Sequence, residues 1–345
     1  MKRSNLFIVL SLAALFLLNF AGASYVLADE DKKNNSSLPA ITEAKTTEVC
    51  VLNIGSASDA VGLGSASSPA FASNGPSSFA IDKDDNVYIV DAMNFRVIKV
   101  SKDSKIVSLI DYPKGETDNK NEAFYITDIA ISRKNGDIYL LNQTIKNIFV
   151  LSGEAKFKRA IDIKEQVKTP HKLFLSPEGD ICVYDAGEPK VVIYSGEGKY
   201  KGRLSGDGLS VYCNNEGYIF TLGEFDKSGR DILLMDAISK RDPKLFSKLV
   251  KSIVETEPYD YQILGCDSSN NLFASIVEKI AEDVIQTLVY KIAPDGKTIS
   301  RLKVMPLRQI GDTMPSRHFS VSPSGVLYGV TASAKYDKYI IVKIM

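Results

Sequence analysis

The chain has 345 residues, and its 42 lysines and arginines balance its 42 aspartates and glutamates. With 44% hydrophobic and 24% charged residues, it has the composition of a globular protein, which argues against a disordered, collagen-like or multi-pass membrane chain. A net charge of zero gives no basic surface for nucleic acid. Two histidines are too few for a histidine-rich metal cage.

The N-terminus has the pattern of a secretory signal. Lys2 and Arg3 precede an apolar segment from Leu6 to Phe20, and small residues then lead to Val26-Leu27-Ala28, a sequence that signal peptidase accepts. We therefore predict that residues 1–28 are a signal peptide and that the protein is secreted or resides in the cell envelope, with no membrane span in the mature chain. An uncleaved N-terminal anchor is the alternative, because the apolar segment is nearly long enough to cross a bilayer.

Residues 29–45 (DEDKKNNSSLPAITEAK) are polar and contain almost no large apolar side chains. Such a segment buries too little apolar surface to offset the entropy lost on ordering. We therefore predict a flexible polar tether, followed by a single domain over residues 46–345.

That domain is built from a repeat. Residues 75–110 contain four short β-rich segments separated by turn residues, with no helical periodicity between them. The same order of strand, Gly/Asn/Asp/Pro turn, strand, polar hinge and strand returns in five further copies, at residues 127–151, 170–194, 209–236, 261–297 and 317–344. A repeat of roughly 40–50 residues with four strands is typical of a β-propeller blade. The six copies predict an all-β, six-bladed propeller of four-stranded antiparallel blades.

The two ends of the repeat region predict how the ring closes. The last copy contains only three strands before the chain ends at Met345, whereas an isolated apolar strand, Val49 to Ile54, precedes the first copy. We predict that this N-terminal strand completes the last blade and so removes an exposed sheet edge.

The first copy, GPSSFAIDKDDNVYIVDAMNFRVIKVSKDSK, resembles an NHL repeat, with Asp91 and Asn94-Phe95-Arg96 at its hinge. The copy around Asp185, VYDAGEPKVVIYSGEGK, is the next most similar. Phe95 replaces the histidine of the family pattern, and the hinges of copies four to six carry Glu224, Glu278 and Ala332 in place of the aspartate. The chain as a whole is distantly similar to the gluconolactonase-like propellers.

This resemblance implies two classes of function. Some such propellers bind proteins, polymers or small molecules, and others are calcium-dependent lactonases or zinc-dependent lyases. A zinc site needs several N or S ligands, but the only histidines are His171 and His318. A calcium site needs several carboxylates, but Asp128 is the only carboxylate at the inner-strand starts. The sequence therefore favours a monomeric binding module for a protein, polymer or small-molecule ligand, with no cofactor, metal or catalytic residue. A hydrolase or lactonase, with Asp128, His171 and His318 nearest the chemistry, is the alternative.

The predicted binding surface is the propeller face on which the inner strands begin. Rigidly held loops are where recognition residues concentrate, and this face collects polar groups from several copies. The candidate binding residues are Thr127, Asp128, His171, Tyr261, Gln262, Arg317 and His318. Asp91 and Asp185 are interpreted as caps of their own turns, and the turns of the opposite face as solvated reversals.

Two further features of the sequence, an ambiguous apolar segment and the four cysteines, lead to predictions. Residues 237–256 place apolar side chains at helical spacing where the repeat requires a strand, so we expect a strand with a short helical insertion. Cys50, Cys182, Cys213 and Cys266 fall on strands too far apart for disulfide geometry, so we predict four buried free thiols.

Overall fold

The computed structural model describes residues 38–63, 75–113, 126–205, 211–214, 218–227, 231–239, 246–254, 258–281, 284–305, 307–308 and 316–345. The predicted signal peptide, residues 1–28, and the start of copy four near residue 209 lie outside the described residues. The chain from Pro39 to Met345 forms one compact unit. No helix among the residues described is both long and apolar enough to cross a membrane.

The described chain is built from β-strands. Three strands come first: β1 (Ile41–Glu43), β2 (Thr46–Ile54) and β3 (Ala60–Val61). The repeats then form sheet 1 with β4 (Ser78–Ile81), β5 (Val87–Asp91), β6 (Arg96–Val100) and β7 (Ile106–Asp111), and sheet 2 with β8 (Ile126–Ile131), β9 (Ile138–Asn142), β10 (Asn147–Leu151) and β11 (Phe157–Asp162). Sheet 3 contains β12 (Pro170–Leu175), β13 (Ile181–Asp185), β14 (Lys190–Tyr194) and β15 (Tyr200–Ser205).

The second half of the chain repeats this plan. Sheet 4 contains β16 (Val211–Cys213), β17 (Tyr218–Lys227), β18 (Asp231–Ser239) and β19 (Phe246–Val254). Sheet 5 contains β20 (Pro258–Cys266), β21 (Leu272–Ala281), β22 (Val284–Ile292) and β23 (Thr298–Val304), and sheet 6 begins with β24 (Phe319–Val321), β25 (Leu327–Ala332) and β26 (Lys338–Ile344). From β4 to β26, strands that follow one another within a sheet pair antiparallel.

The sheets stand around an axis as a propeller. The first strand of each sheet contacts the first strand of the next, from β4 through β8, β12, β16 and β20 to β24, and β24 contacts β4 in turn. Apolar clusters fill the spaces between neighbouring sheets, for example between sheets 1 and 2 and between sheets 2 and 3. The second strands are buried on both faces, which is why VYIVD, IYLLN and ICVYD are nearly continuous apolar sequences.

The first turn of each repeat explains the recurring Gly, Asn and Asp residues. Asp85, Gly136, Gly179, Asn270 and Gly325 occupy this turn in five sheets, each with a positive φ between 62° and 90°. Glycine adopts this conformation without steric cost, and Asn and Asp tolerate it better than other residues. The turn residues therefore set the spacing of the first two strands in each sheet.

The N-terminal strands cover two sheet edges. β2 pairs antiparallel with β26, from Thr46 opposite Ile344 to Asn53 opposite Lys338, so the predicted contribution of the N-terminal strand to the last sheet is confirmed. β3 then extends this sheet by parallel pairing with β2. β1, which lies within the segment predicted as a tether, pairs parallel with β23 of sheet 5.

The hinge residue Asp91 does more than the predicted capping of its own turn, because it also bonds to a neighbouring loop. Asp91 is fully buried, accepts a hydrogen bond from the Gly62 N–H at 2.8 Å and pairs with Arg96 Nε at 3.0 Å. Arg96 Nη2 in turn donates to the carbonyl oxygens of Ala57 and Ala60. These contacts fix the loop that follows β2 onto sheet 1.

Sheet 4 corrects one expectation. Phe246–Val254 forms the strand β19, which pairs with β18 along its length, and the predicted helical insertion does not occur in the described part of residues 237–256. The sequence of this segment fits both the periodicity of a helix and that of a strand. The strand forms because pairing with β18 satisfies its backbone hydrogen bonds. The four cysteines are free and buried, which confirms the prediction made for them.

Candidate functional site

A buried ion pair joins the inner strands where they begin. Arg317 donates from Nε to Asp128 Oδ1 and from Nη2 to Oδ2, both at 2.8 Å, which is the paired geometry that makes guanidinium–carboxylate contacts strong. Ser78 Oγ also donates to Asp128 at 2.6 Å, and the Leu173 N–H donates at 2.7 Å. We call Ser78, Asp128, Leu173 and Arg317 the axial node, because it ties sheets 1, 2 and 3 to the segment entering sheet 6.

The axial node is charged. Burial alone would raise the pKa of Asp128, but the Arg317 guanidinium and the donated hydrogen bonds outweigh burial and hold the pKa below its ordinary value. Burial likewise opposes ionisation of Arg317, whereas Asp128 raises its pKa. Both side chains are therefore ionised and neutralise each other inside the ring.

Thr127 is bonded within the same region. Its hydroxyl donates to the Leu141 carbonyl oxygen at 3.3 Å, and its own carbonyl oxygen accepts from Ser316 Oγ at 2.9 Å. Thr127 thus supports the strand that carries Asp128.

The two histidines lie beside this region and are uncharged. His171 and His318 are half-buried, and His171 packs edge-on against Tyr184 at 6.4 Å between ring centroids. Burial lowers the pKa of both imidazoles, and the nearby Lys172 ammonium lowers them further. Both rings are therefore neutral at pH 7.

Tyr261 and Gln262 are half-buried on β20. Tyr261 packs against the apolar cluster of sheet 5, whereas Gln262 lines a cavity of about 20 Å³ together with Lys172, Phe319 and Arg317. The structure thus brings Asp128 and Arg317 into direct contact and places Gln262 beside Arg317. Tyr261 belongs to the packing of its own sheet.

A larger cavity of about 100 Å³ lies along the inner strands on the other side of the Arg317 side chain. We call it the axial chamber. Its walls combine polar and apolar groups and come largely from the first strands of several sheets. The lining includes Ala80, Ala130, Ile131, Phe174, Leu175, Leu264, Ser320 and Val321. Arg317 lies at its inner end, and Arg133, Lys134 and Asn214 lie near the ends of the inner strands.

Arg133 reaches from the first turn of sheet 2 to the opposite part of the ring. Its Nη2 donates to the Cys266 carbonyl oxygen of sheet 5 at 3.2 Å and to the Tyr212 hydroxyl oxygen of sheet 4 at 3.4 Å. The side chain nevertheless belongs to an exposed residue. Arg133 therefore places a positive charge over the mouth of the chamber, in contact with solvent.

Tyr212 lines the chamber between the two arginines. Its ring stacks on Phe174 with centroids 6.4 Å apart. Burial raises the pKa of Tyr212 to about 12, although Arg133 and Arg317 lower it. The hydroxyl is therefore protonated at neutral pH and is able to donate a hydrogen bond inside the ring.

The sequence predictions did not include the chamber. They placed binding at the inner-strand starts and interpreted the first turns as solvated reversals. One signal was present: Arg133-Lys134 puts two adjacent cations in the first turn of copy two, whereas the first turn of copy one has the single cation Lys83 among aspartates. Within the described ranges, no three His, Cys, Asp or Glu side chains lie close enough together to hold a metal ion.

Comparison with known proteins supports the fold. No protein-family model and no curated protein sequence matches the chain. Among solved structures, a chain of a mitotic checkpoint complex is 10% identical over 93% of this chain and 99% of that chain, with a TM-score of 0.53. Virginiamycin B lyase from Staphylococcus aureus is 11% identical over 88% of this chain and 99% of its own, with a TM-score of 0.50.

Hydrazine synthase from Kuenenia stuttgartiensis is 12% identical over 77% of this chain and 76% of that chain, also with a TM-score of 0.50. These proteins carry out unrelated functions on similar architectures, and at such identities the likeness concerns the fold alone. The chain is therefore similar in fold to propeller proteins, a lyase and a checkpoint-complex chain among them.

Proposed function

We propose that the protein is a binding propeller that takes a small-molecule ligand in the axial chamber. The observation that carries this proposal is the chamber itself: a cavity with both polar and apolar walls, bounded by Arg317 at one end and by Arg133 and Tyr212 at the other. Small-molecule sites in proteins are concave and combine apolar walls with polar groups at fixed positions, and the chamber has both kinds of group. The rigid ring holds these groups in place without a bound partner.

The inner-strand-start face predicted from the sequence is the competing location. There the charges of Asp128 and Arg317 already neutralise each other, and the Thr127 side chain is hydrogen-bonded within its own sheet. His171, His318 and Gln262 remain candidates for that face, beside a cavity of only about 20 Å³. In the lactonase alternative, Asp128 would lie nearest the chemistry. Its carboxylate, however, already accepts hydrogen bonds from Arg317, Ser78 and Leu173.

Fragment soaking distinguishes the two locations. Crystals of the protein would be soaked with a library of molecules of three to six non-hydrogen atoms. We expect ligand density between Ile131, Leu175 and Val321 in the chamber. Density confined to the cavity beside Lys172 and Gln262 would support the inner-strand-start face instead, and density at neither place would contradict the proposal.

We further propose that each of the six sheets is one blade of a six-bladed, NHL-like ring. The order of contacts from β4 to β24 and back to β4 and the repeat of Asp91 and Asp185 at two hinges support this description. An experimental structure with a ring of any other blade number would contradict it.

Export and a monomeric state also belong to the proposal. The charged and apolar pattern of residues 1–28 supports export. Fusion of these residues to a reporter that is active only outside the cytoplasm tests it, and a mature N-terminus at Asp29 is expected. Light scattering of the purified protein should give the mass of one chain, whereas the mass of two chains would refute the monomer.

A further inference from the structure

We propose that the outer edge of β7 in sheet 1 binds an extended segment of a partner protein, which adds to the sheet as a further strand. The segment carries an aliphatic residue beside Leu109 and a lysine or arginine beside Asp111. β7 is the outermost strand of its sheet, whereas the axial chamber lies along inner strands. Binding at this edge is therefore independent of binding in the chamber.

The chain itself already adds strands at the outer edges of two sheets. β1 pairs parallel with β23 of sheet 5, and β3 pairs parallel with β2, the fourth strand of sheet 6. Side chains also hold β1 in place. Lys303 Nζ pairs with Glu43 at 2.9 Å, and Arg301 Nε donates to the Pro39 carbonyl oxygen at 2.7 Å. β23 with its added strand β1 therefore serves as a template for strand addition in this fold.

β7 resembles β23 at this edge. Both are fourth strands, and both have a bulge near their start, where Val107 or Ile299 is the extra residue and a serine follows. Val107 is 56% exposed and Ile299 is 45% exposed. Among the strands in the described ranges, none pairs with the outer side of β7. The backbone N–H and C=O groups on that side are therefore a template for a further strand.

The equivalent strands of sheets 2 and 3 carry lysine at the bulge. Lys158 of β11 pairs with Asp137 at 2.8 Å. Lys201 of β15 pairs with Asp180 at 2.7 Å. Lysine on an edge strand is a common protection against strand pairing. The sequence of β7, IVSLID, contains no lysine or arginine, so this protection is missing from sheet 1.

The charges at this edge predict a cation in the partner segment. β23 presents Lys303 to Glu43 of the added strand. Counted from the bulge, the same position of β7 is Asp111, an exposed residue that makes no ion pair within the part of the chain that the structure describes. A segment bound in the same way would place a lysine or arginine beside Asp111. In sheet 2 the corresponding Asp162 is paired with Lys164 at 2.9 Å, so the unpaired carboxylate distinguishes sheet 1 from sheet 2.

The neighbouring positions predict apolar contacts. The residue of β7 that corresponds to Arg301, which lies opposite Ile41 of the added strand, is Leu109. Leu109 is 39% exposed, so an aliphatic side chain beside it would bury hydrocarbon that now contacts solvent. Val107 and Ile110 line a groove of about 370 Å³ between β7 and the turn that joins β10 to β11. This groove leaves room for the side chain of the segment's middle residue.

The test uses a peptide with the sequence of residues 39–45, PAITEAK, that carries the substitution Glu43→Lys. The unchanged peptide is its control. Binding to the full chain would be followed by NMR through the backbone amide signals of β7 and β23. The protein variant is Asp111→Lys, and its matched control is Asp162→Lys. Both aspartates are exposed and end equivalent strands, so we expect unchanged melting of both variants.

We expect the Glu43→Lys peptide to give saturable shifts at Leu109 and Ile110 in the wild-type protein and in Asp162→Lys. Asp111→Lys should bind this peptide about three to ten times more weakly, because a pair of opposite charges becomes a pair of like charges. The same variant should bind the unchanged peptide more tightly than the wild type does.

Three results would overturn the proposal. The first is the absence of saturable shifts on β7. The second is equal binding of the two peptides to the wild type, or equal binding of the Glu43→Lys peptide to the wild type and Asp111→Lys, because the charge of Asp111 would then play no part. The third is shifts on β7 that grow with protein concentration without peptide, together with the mass of two chains in light scattering, which would assign this edge to a second copy of the chain.

Discussion

Replacing Arg317 by methionine should destabilise the protein strongly, because it leaves Asp128 charged and buried without its cation. Asp128 has no exposed surface, and the Arg317 side chain is only 16% exposed. Removing one partner of such a buried pair costs about 3–5 kcal/mol. For a protein of this size, that loss corresponds to a fall in Tm of about 10 °C.

The pH dependence identifies the cause. In the wild-type protein, the pKa of Asp128 lies below its unfolded value, so its stabilising contribution is present above the unfolded pKa and is lost as the pH falls through the folded pKa. In Arg317→Met the buried carboxylate should have a pKa above the unfolded value of about 3.9. The variant should therefore be most destabilised at pH 7, and its difference from the wild type should shrink as the pH falls towards 4.

Urea denaturation followed by circular dichroism at pH 7, 6, 5 and 4 measures this effect; tryptophan fluorescence is not an option because the chain contains no Trp. The double variant Asp128→Asn/Arg317→Met should be more stable at pH 7 than Arg317→Met alone, because no buried charge is left unpaired. A loss in Arg317→Met that stays constant from pH 7 to pH 4 would refute the reasoning, as would a double variant that is no more stable.

Three further predictions concern closure, the hinge and the thiols. Deleting the chain through Gly55 removes β1 and β2 and leaves β26 as an open edge. Calorimetry should then show aggregation or a non-cooperative transition. A variant that melts like the full chain would contradict the role of the N-terminal strand in closing the ring. Asp91→Ala should lower the free energy of unfolding by about 2 kcal/mol or more, because Arg96 and a buried N–H lose their acceptor, and a change below about 0.5 kcal/mol would count against this role. Alkylation should add four groups to the denatured, unreduced protein, as measured by intact mass, and two or fewer groups would indicate a disulfide. In the folded protein, Cys213 should react first because it lines the chamber. Cys50 should react slowly because burial raises its pKa to about 12.

The propeller could be predicted because its signals are local. The alternation of strand and turn residues is visible within each copy, and positions such as Gly179 and Asn270 adopt the positive φ that their residue types favour. The closing strand was predictable for a similar reason, since an isolated apolar segment needs a partner and β26 provides the free edge. The segment at β19 could not be assigned, because a short apolar sequence fits both a helix and a strand until its pairing with β18 is known.

The chamber depends on contacts between residues far apart in the chain. Asp128 and Arg317 are 189 residues apart, and Arg133 and Cys266 are 133 residues apart. The sequence indicated that Asp128 and Arg317 share one face, but it could not show that they neutralise each other. It also could not show that one first turn, the one with Arg133, reaches across the ring, because that depends on how closely the inner strands approach.

Methyl NMR of the protein during titration with a fragment of the size used for soaking tests the central claim most directly, because isoleucine and leucine methyl groups mark both candidate locations. Ile131 and Leu175 line the axial chamber, whereas Ile263 lines the small cavity beside Gln262 on the other side of Arg317. We predict saturable shifts of the Ile131 and Leu175 signals with little change at Ile263. Shifts at Ile263 alone, or no saturable shift at any of the three, would contradict binding in the chamber.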